Sequence, residues 1–305
     1  MNTVFINSYG RLRSGWRAAV FGGAFIFFEM GWYAVIVAFF GAPGDNRSSL
    51  LLWGVDLLFG LVLATGLGWI CGRALEGLPF KALGWAVYRG WFKHLLLGLL
   101  TGALSLIFAC LICVVFGRMS FGFNETADLS QTGTTLAVAG VFFLLGAASE
   151  EAIFRGYLMQ TFTRAKLAWV AILIASLFFA AAHLANPGAS PIAFINTMLA
   201  GFWFSAAYLK TRSLWLPLGA HFAWNWFQGA IFGIPVSGIT RVTAAPLLQQ
   251  ADSGPAWLTG GSYGIEGGLA CTITLVLSTV LIYFWPGLKA DEEMLALTSH
   301  ESVRD

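Results

Sequence analysis

Seven ionisable side chains sit inside long apolar stretches of this sequence: Glu29, Asp56, Glu150, Glu151, Arg155, His183 and His221. An ionised group at mid-bilayer costs at least about 2.5–3.5 kcal/mol, so each of them needs a reason to be there. Five of the seven fall in three neighbouring apolar segments. The first segment holds Glu150-Glu151-Ala152-Ile153-Phe154-Arg155. On a helix, Glu151 and Arg155 share a face with the acid on the N-terminal side, the better order for an ion pair. They are read as a structural pair. Glu150 points about 100° away round the helix and is left without that partner. A carboxylate stranded in this way is expected to have a raised pKa, which suits a general base. The competing reading joins all three residues in one static ion network.

The second segment contributes His183, at the end of Phe179-Ala180-Ala181-Ala182-His183. Taken alone, a histidine in an apolar helix is more often a packing residue than a catalyst. The third contributes His221-Phe222-Ala223-Trp224-Asn225, with His221 and Asn225 on one helical face. Asn225 could orient the imidazole or donate to an oxyanion; a simple interhelical hydrogen bond is the bland alternative. Measured from the nearest basic flank at 1.5 Å per residue, Glu150 lies roughly 21 Å deep, His183 roughly 26 Å, Asn225 roughly 20 Å and His221 roughly 14 Å. These groups can meet at one level, with His183 the outlier. A glutamate, two histidines and an amide donor suit attack of water on a carbonyl. Glu150, His183 and His221 would also be enough ligands for one divalent metal such as zinc, with a position left for water. They do not form an HExxH, so helix packing would have to assemble that set. Both versions stay open, with a slight lean to the metal-free one, in which Glu150 takes the proton and His183 holds the water.

The elements that must carry these residues are membrane helices. The chain of 305 residues is 58% hydrophobic and 10% charged, whereas a soluble domain carries roughly 25% charge. It lacks the basic stripe of a nucleic-acid binder. Apolar runs of about 20 residues occur near 18–41, 50–72, 94–117, 133–158, 167–184, 191–209, 213–232 and 268–286. The expected fold is therefore an all-α, polytopic bundle of about eight transmembrane helices. With the N-terminus inside, 13 Lys and Arg flank the inner ends, including Arg304 of the tail, and three (Arg47, Arg118, Arg241) flank the outer ends. That asymmetry places both termini in the cytosol. The first apolar run follows positive charge but is too long for a cleaved signal, so it is read as an uncleaved span. Cys71, Cys110, Cys113 and Cys271 all lie in apolar runs and are read as buried free thiols. The Cys110–Cys113 spacing is a weak redox or zinc signal in that setting.

The motifs resemble the CAAX-protease and bacteriocin-processing family of intramembrane peptidases. Glu-Glu-x-x-x-Arg, Phe-x-x-x-His and His-x-x-x-Asn follow one another on successive helices, as in that family. Residues 150–157 read EEAIFRGY, and 210–225 read KTRSLWLPLGAHFAWN. Thr211, Ser213, Leu214, Trp215 and Pro217 sit where the family has them. The similarity covers roughly 133–235. The resemblance implies that Glu150 activates water with His183 beside it. It implies that His221 and Asn225 stabilise the oxyanion or join the same ligand set. Family names speak of metalloproteases, and a metal-free glutamate mechanism has also been argued.

The organisation expected is thus three N-terminal helices (1–132), a catalytic helix core (133–235), an outer loop with the last helix (236–287), and a cytosolic tail (288–305). The stretch 233–266 is read as an ordered or semi-ordered loop and the tail as mobile. Glu29 and Asp56 are read as interhelical glue. The expected activity is endopeptidase cleavage of a membrane-associated protein or peptide, in a bacterial plasma membrane. The alternative is a non-catalytic transporter or scaffold using the same Glu and His groups. A transporter often shows inverted repeats, and none is evident.

Overall fold

The computed structural model describes residues 2–41 and 47–299. Eight apolar helices form its body: α1 (Ser14–Phe40), α2 (Arg47–Cys71), α3 (Trp91–Gly117), α4 (Leu129–Glu151), α5 (Ala168–Ala182), α6 (Pro191–Thr211), α7 (Trp215–Trp226) and α8 (Leu269–Phe284). Five of the helical rods are long and apolar enough to cross a bilayer, among them Leu129–Arg164, which extends α4; α5 and α8 are shorter. The protein is a polytopic all-α membrane protein.

Burial separates the bundle into a rim and a centre. In the apolar window of α1, 6% of residues are buried, and in Leu50–Glu76 11%, against 50% in α6. The first two helices therefore show most of their surface outward, where exposed Phe27, Phe39, Leu51 and Val62 suit lipid. The centre packs Leu106, Phe179, Trp203, Phe204, Leu216, Ala220 and Trp224 from α3, α5, α6 and α7. Glycine sets the closest approaches. A Cβ on Gly98 would lie 2.3 Å from the Leu216 carbonyl oxygen, and one on Gly102 2.2 Å from that of Ala220. Gly98 and Gly102 make a G-x-x-x-G on α3, the spacing that lets two membrane helices touch backbone to backbone. In the same way α6 meets α5 at Gly201, where a Cβ would lie 2.6 Å from that of Ser176.

The rod through α4 is not uniform. Residues Ala152–Tyr157 are a π-helix, with Gly156 out of helical geometry (ψ −120°), before α-helix resumes over Leu158–Arg164. A π segment widens the helix and re-aims its side chains, a feature common at functional sites. A buried ionic cluster anchors this end. Glu76 accepts from Arg164 Nε at 3.1 Å, lies 2.6 Å from its Nη2, and pairs with Arg17 of α1.

Outside the bundle, two strands pair antiparallel: β1 (Met119–Phe123) after α3 and β2 (Leu248–Asp252) after α7, in register from Met119 opposite Asp252 to Phe123 opposite Leu248. The stretch 233–266 is thus ordered by this ladder, by the turn Ala256–Thr259 and by hydrogen bonds such as Gly238 N–H to the Tyr263 carbonyl at 2.8 Å. The tail differs from expectation. Glu292–Ser299 forms a helix, α9, with Met294 and Thr298 buried. Met294 packs with Ala86 and Tyr88, and Glu293 pairs with Lys81. One apolar face four residues apart is enough to dock this short helix. Arg304 and the remaining tail residues, 300–305, lie outside the described residues.

Candidate active site

Three central helices bring the motif residues to one cavity of about 240 Å³, lined by Glu150, His183, His221 and Asn225. Its walls are aromatic, with Trp53, Phe142, Phe143, Phe179, Trp203, Phe204 and Trp224. All four residues expected to do the chemistry therefore face one space.

Glu151 and Arg155 are fully buried behind it. Arg155 Nη1 lies 3.2 Å from Glu151 Oε1, and its Nη2 donates to the Gly201 carbonyl at 3.1 Å. That carbonyl is reachable because glycine lets α6 come close. The guanidinium also lies 4.9 Å from the ring centre of Phe179 and 5.1 Å from that of Phe204. Cation–π contacts of this kind gain strength when desolvated. The i, i+4 pair read from the sequence is present, and it has a third member. His221 Nδ1 lies 2.9 Å from the same Glu151 oxygen. Since Glu151 is paired to a guanidinium and accepts, Nδ1 carries the proton. The imidazole is stacked on Phe204 with ring centres 4.4 Å apart and planes at 18°. Ion pair, hydrogen bond and stacking together leave it little freedom.

Glu150 stands apart from this cluster, as its place on the helix requires. Its side chain is 31% exposed, and its Oε2 lies 3.5 Å from His221 Nε2. This separation is beyond a normal N–H···O hydrogen bond, and Oε2 has no hydrogen-bond partner. Glu150 is thus not in a static network with Glu151 and Arg155, and it is not wholly partnerless either: one imidazole bridges the two acids. His183 is the half-buried C-terminal cap of α5. Its Nδ1 is 2.7 Å from the Phe179 carbonyl oxygen. A carbonyl only accepts, so Nδ1 is again the protonated nitrogen and Nε2 is left available. Asn225 is half-buried one turn beyond His221.

Among the described residues, no three His, Cys, Asp or Glu side chains are arranged to hold a metal ion. Glu150, His183 and His221 share the cavity, but His221 turns its two nitrogens to the two glutamates and His183 turns one to the backbone. The residues as arranged do not fit a three-ligand centre. The four cysteines are buried and free. Glu29 and Asp56 lie away from this cavity's lining; Glu29 approaches α2 at Gly60, and Asp56 lies beside Trp32 of α1. Both therefore contact the neighbouring helix, as interhelical glue would.

The cavity also has a wall that the motifs do not announce. Glu266, Ser237, Asn196 and Asn186 line it. Glu266 lies in a glycine-flanked turn just before α8, and that acid beside an apolar run was the one available signal. Asn196 anchors the turn, donating to the carbonyls of Glu266 and Gly268, each at 2.8 Å.

Residues 132–227 match the family model described as Rce1-like, type II CAAX prenyl endopeptidase. This segment is similar to an Rce1-like core. It contains Glu150, Glu151, Arg155, His183, His221 and Asn225, so the resemblance carried by the motifs and the match to the Rce1-like model fall on the same residues. A protein of Bacillus subtilis (strain 168), "Uncharacterized protein YyaK", is 29% identical over 163 residues, covering 52% of this chain and 54% of that protein. The chain therefore spans about half the length of the curated relative it matches. No solved structure matches. The helices before the Rce1-like core and the turn carrying Glu266 lie outside the matched segment.

Proposed function

We propose that the chain is an intramembrane endopeptidase in which Glu150 activates water against a peptide carbonyl. The observation that carries this reading is the placement of Glu150: its carboxylate faces a cavity shared with His183 and Asn225, and beside it lies an imidazole clamped from behind by Glu151 and Arg155. Glu150 takes a proton from water as the water oxygen bonds to the carbonyl carbon. The same proton then passes to the leaving nitrogen as the C–N bond breaks. His183, with Nε2 available, holds the attacking water. Asn225 donates to the developing oxyanion from the His221 side. Glu151 and Arg155 do not meet the substrate; they hold His221 in place.

The substrate is a membrane-associated protein or peptide, and the family description points to a CAAX-type chain end as one class to test. Both termini and the loop carrying Lys81 face the cytosol, a placement supported by the basic flanks. The deciding experiment replaces Glu150 by Gln in purified protein and measures cleavage of a membrane-anchored peptide that the parent cuts. Retained cleavage would overturn the reading.

A further inference from the structure

The cavity's charge is lopsided. Two carboxylates line it, Glu150 on α4 and Glu266 on the turn before α8, and among its described lining residues there is no Lys or Arg. Glu266 is built in with care for its charge. Its Oε2 accepts from Ser237 Oγ at 3.0 Å, from Gln228 Nε2 at 3.2 Å and from the Ser237 backbone N–H. Ser237 adopts a left-handed backbone (φ +47°) to make that approach, a conformation that a non-glycine residue rarely takes. Three donors on one oxygen favour an ionised carboxylate. Burial raises the pKa of Glu266 overall, and these donors, with the nearby His183, offset only part of that rise. Next to it, Gln228 Oε1 is buried without a hydrogen-bond partner. Glu266 thus places a carboxylate in a space walled by aromatic rings and lined by neither Lys nor Arg.

We propose that Glu266 makes the loop end of the catalytic cavity a subsite for a cationic side chain, lysine or arginine, of the peptide substrate. The proposal rests on the endopeptidase reading and refines it. A cation there meets the Glu266 carboxylate, and the aromatic walls favour its charge and shelter its methylene stem. The same arrangement disfavours an acidic side chain at this subsite, because no Lys or Arg lines the cavity to receive it.

The test uses the full chain in lipid nanodiscs and internally quenched peptides that differ only in carrying Lys, Gln or Glu. The variable residue is placed in turn at three positions on each side of the cut. At one position, kcat/KM should rank Lys above Gln above Glu, with at least about a tenfold span, the factor from roughly 1.4 kcal/mol. Glu266→Gln, which keeps an acceptor for Ser237, should collapse that ranking while the Gln peptide is cut at the parental rate. An unranked parent, or a ranking that survives Glu266→Gln, overturns the subsite. Equal loss on all peptides with lowered thermal stability makes Glu266 only a loop clamp and also overturns it. If Glu266→Gln does not fold, Glu266→Asp, which draws the carboxylate back by one methylene, should keep the order Lys, Gln, Glu but narrow its span; an unchanged span overturns the subsite. Absence of any Glu150-dependent cleavage would instead sink the endopeptidase reading, and the subsite with it.

Discussion

The Nδ1 of His221 lies 2.9 Å from Oε1 of Glu151, the same oxygen that Arg155 reaches from the other side. A glutamate that looks like one half of a helix-surface ion pair is therefore the link between a buried cation and a cavity imidazole. Breaking it has two consequences. Arg155→Ala leaves a buried carboxylate without its counter-charge, and losses of about 3–5 kcal/mol are usual for such a change. Thermal unfolding in detergent should fall markedly, and unchanged stability would refute the clamp.

Glu150 is in contact with the cavity and not with the clamp, so its replacement should separate chemistry from folding. Glu150→Gln is expected to unfold at the parental temperature while cleavage falls to background. A large loss of stability would place Glu150 in the structural network instead.

Asn225 is the candidate oxyanion donor. Asn225→Ala should reduce kcat by roughly a hundredfold or more, the usual cost of removing one such donor. KM should change little, because the interaction strengthens only as charge develops. A rise in KM at constant kcat would assign Asn225 to ground-state binding.

The contact of α3 with α7 gives a prediction about geometry at a distance. A Cβ on Gly102 would meet the Ala220 carbonyl oxygen at 2.2 Å, and Ala220 immediately precedes His221. Gly102→Ala should lower the unfolding temperature and also impair cleavage, since α7 must shift. Gly22→Ala, on α1 with open space around it, should do neither. Equal behaviour of the two variants would show that the close approach is not needed.

For topology, single cysteines placed at Ser120 and at Gln249 are expected to react with a membrane-impermeant thiol reagent added outside cells. One at Lys289 should react only after the membrane is opened. Labelling of Lys289 from outside would reverse the orientation inferred from the basic flanks.

The helices were legible in the sequence because each lies in an apolar run, five of them long enough to cross a bilayer. Their ends were less so. The fourth rod starts at Leu129, where Asp128 and Gln131 form a capping box, and it runs on to Arg164 because a π-helix carries it past Gly156. The Glu151–Arg155 pair was readable as a local i, i+4 spacing. The bond from Glu151 to His221 was not, because it joins α4 to α7 across 70 positions. Glu266 escaped for a related reason: a lone acid in a glycine-rich turn has no periodicity, and only folding of the loop between α7 and α8 brings it over the cavity. The docked helix α9 rests on two buried positions, Met294 and Thr298, too weak a pattern in a charged tail to stand out.

The β1–β2 ladder imposes a parity on the chain. Strands bonded residue to residue from Met119–Asp252 to Phe123–Leu248 must occupy one compartment, so the crossings between them must be even in number. Four rods, α4, α5, α6 and α7, lie between the strands, and the count is even if each crosses, α5 with its 15 residues included. A molecule inserted upside down keeps the ladder; a molecule that skips one helix cannot form it. Such a molecule strands β2 across the bilayer and leaves β1 as an open edge, the feature that invites aggregation. Two five-residue strands thus act as a proofreading mark for membrane insertion.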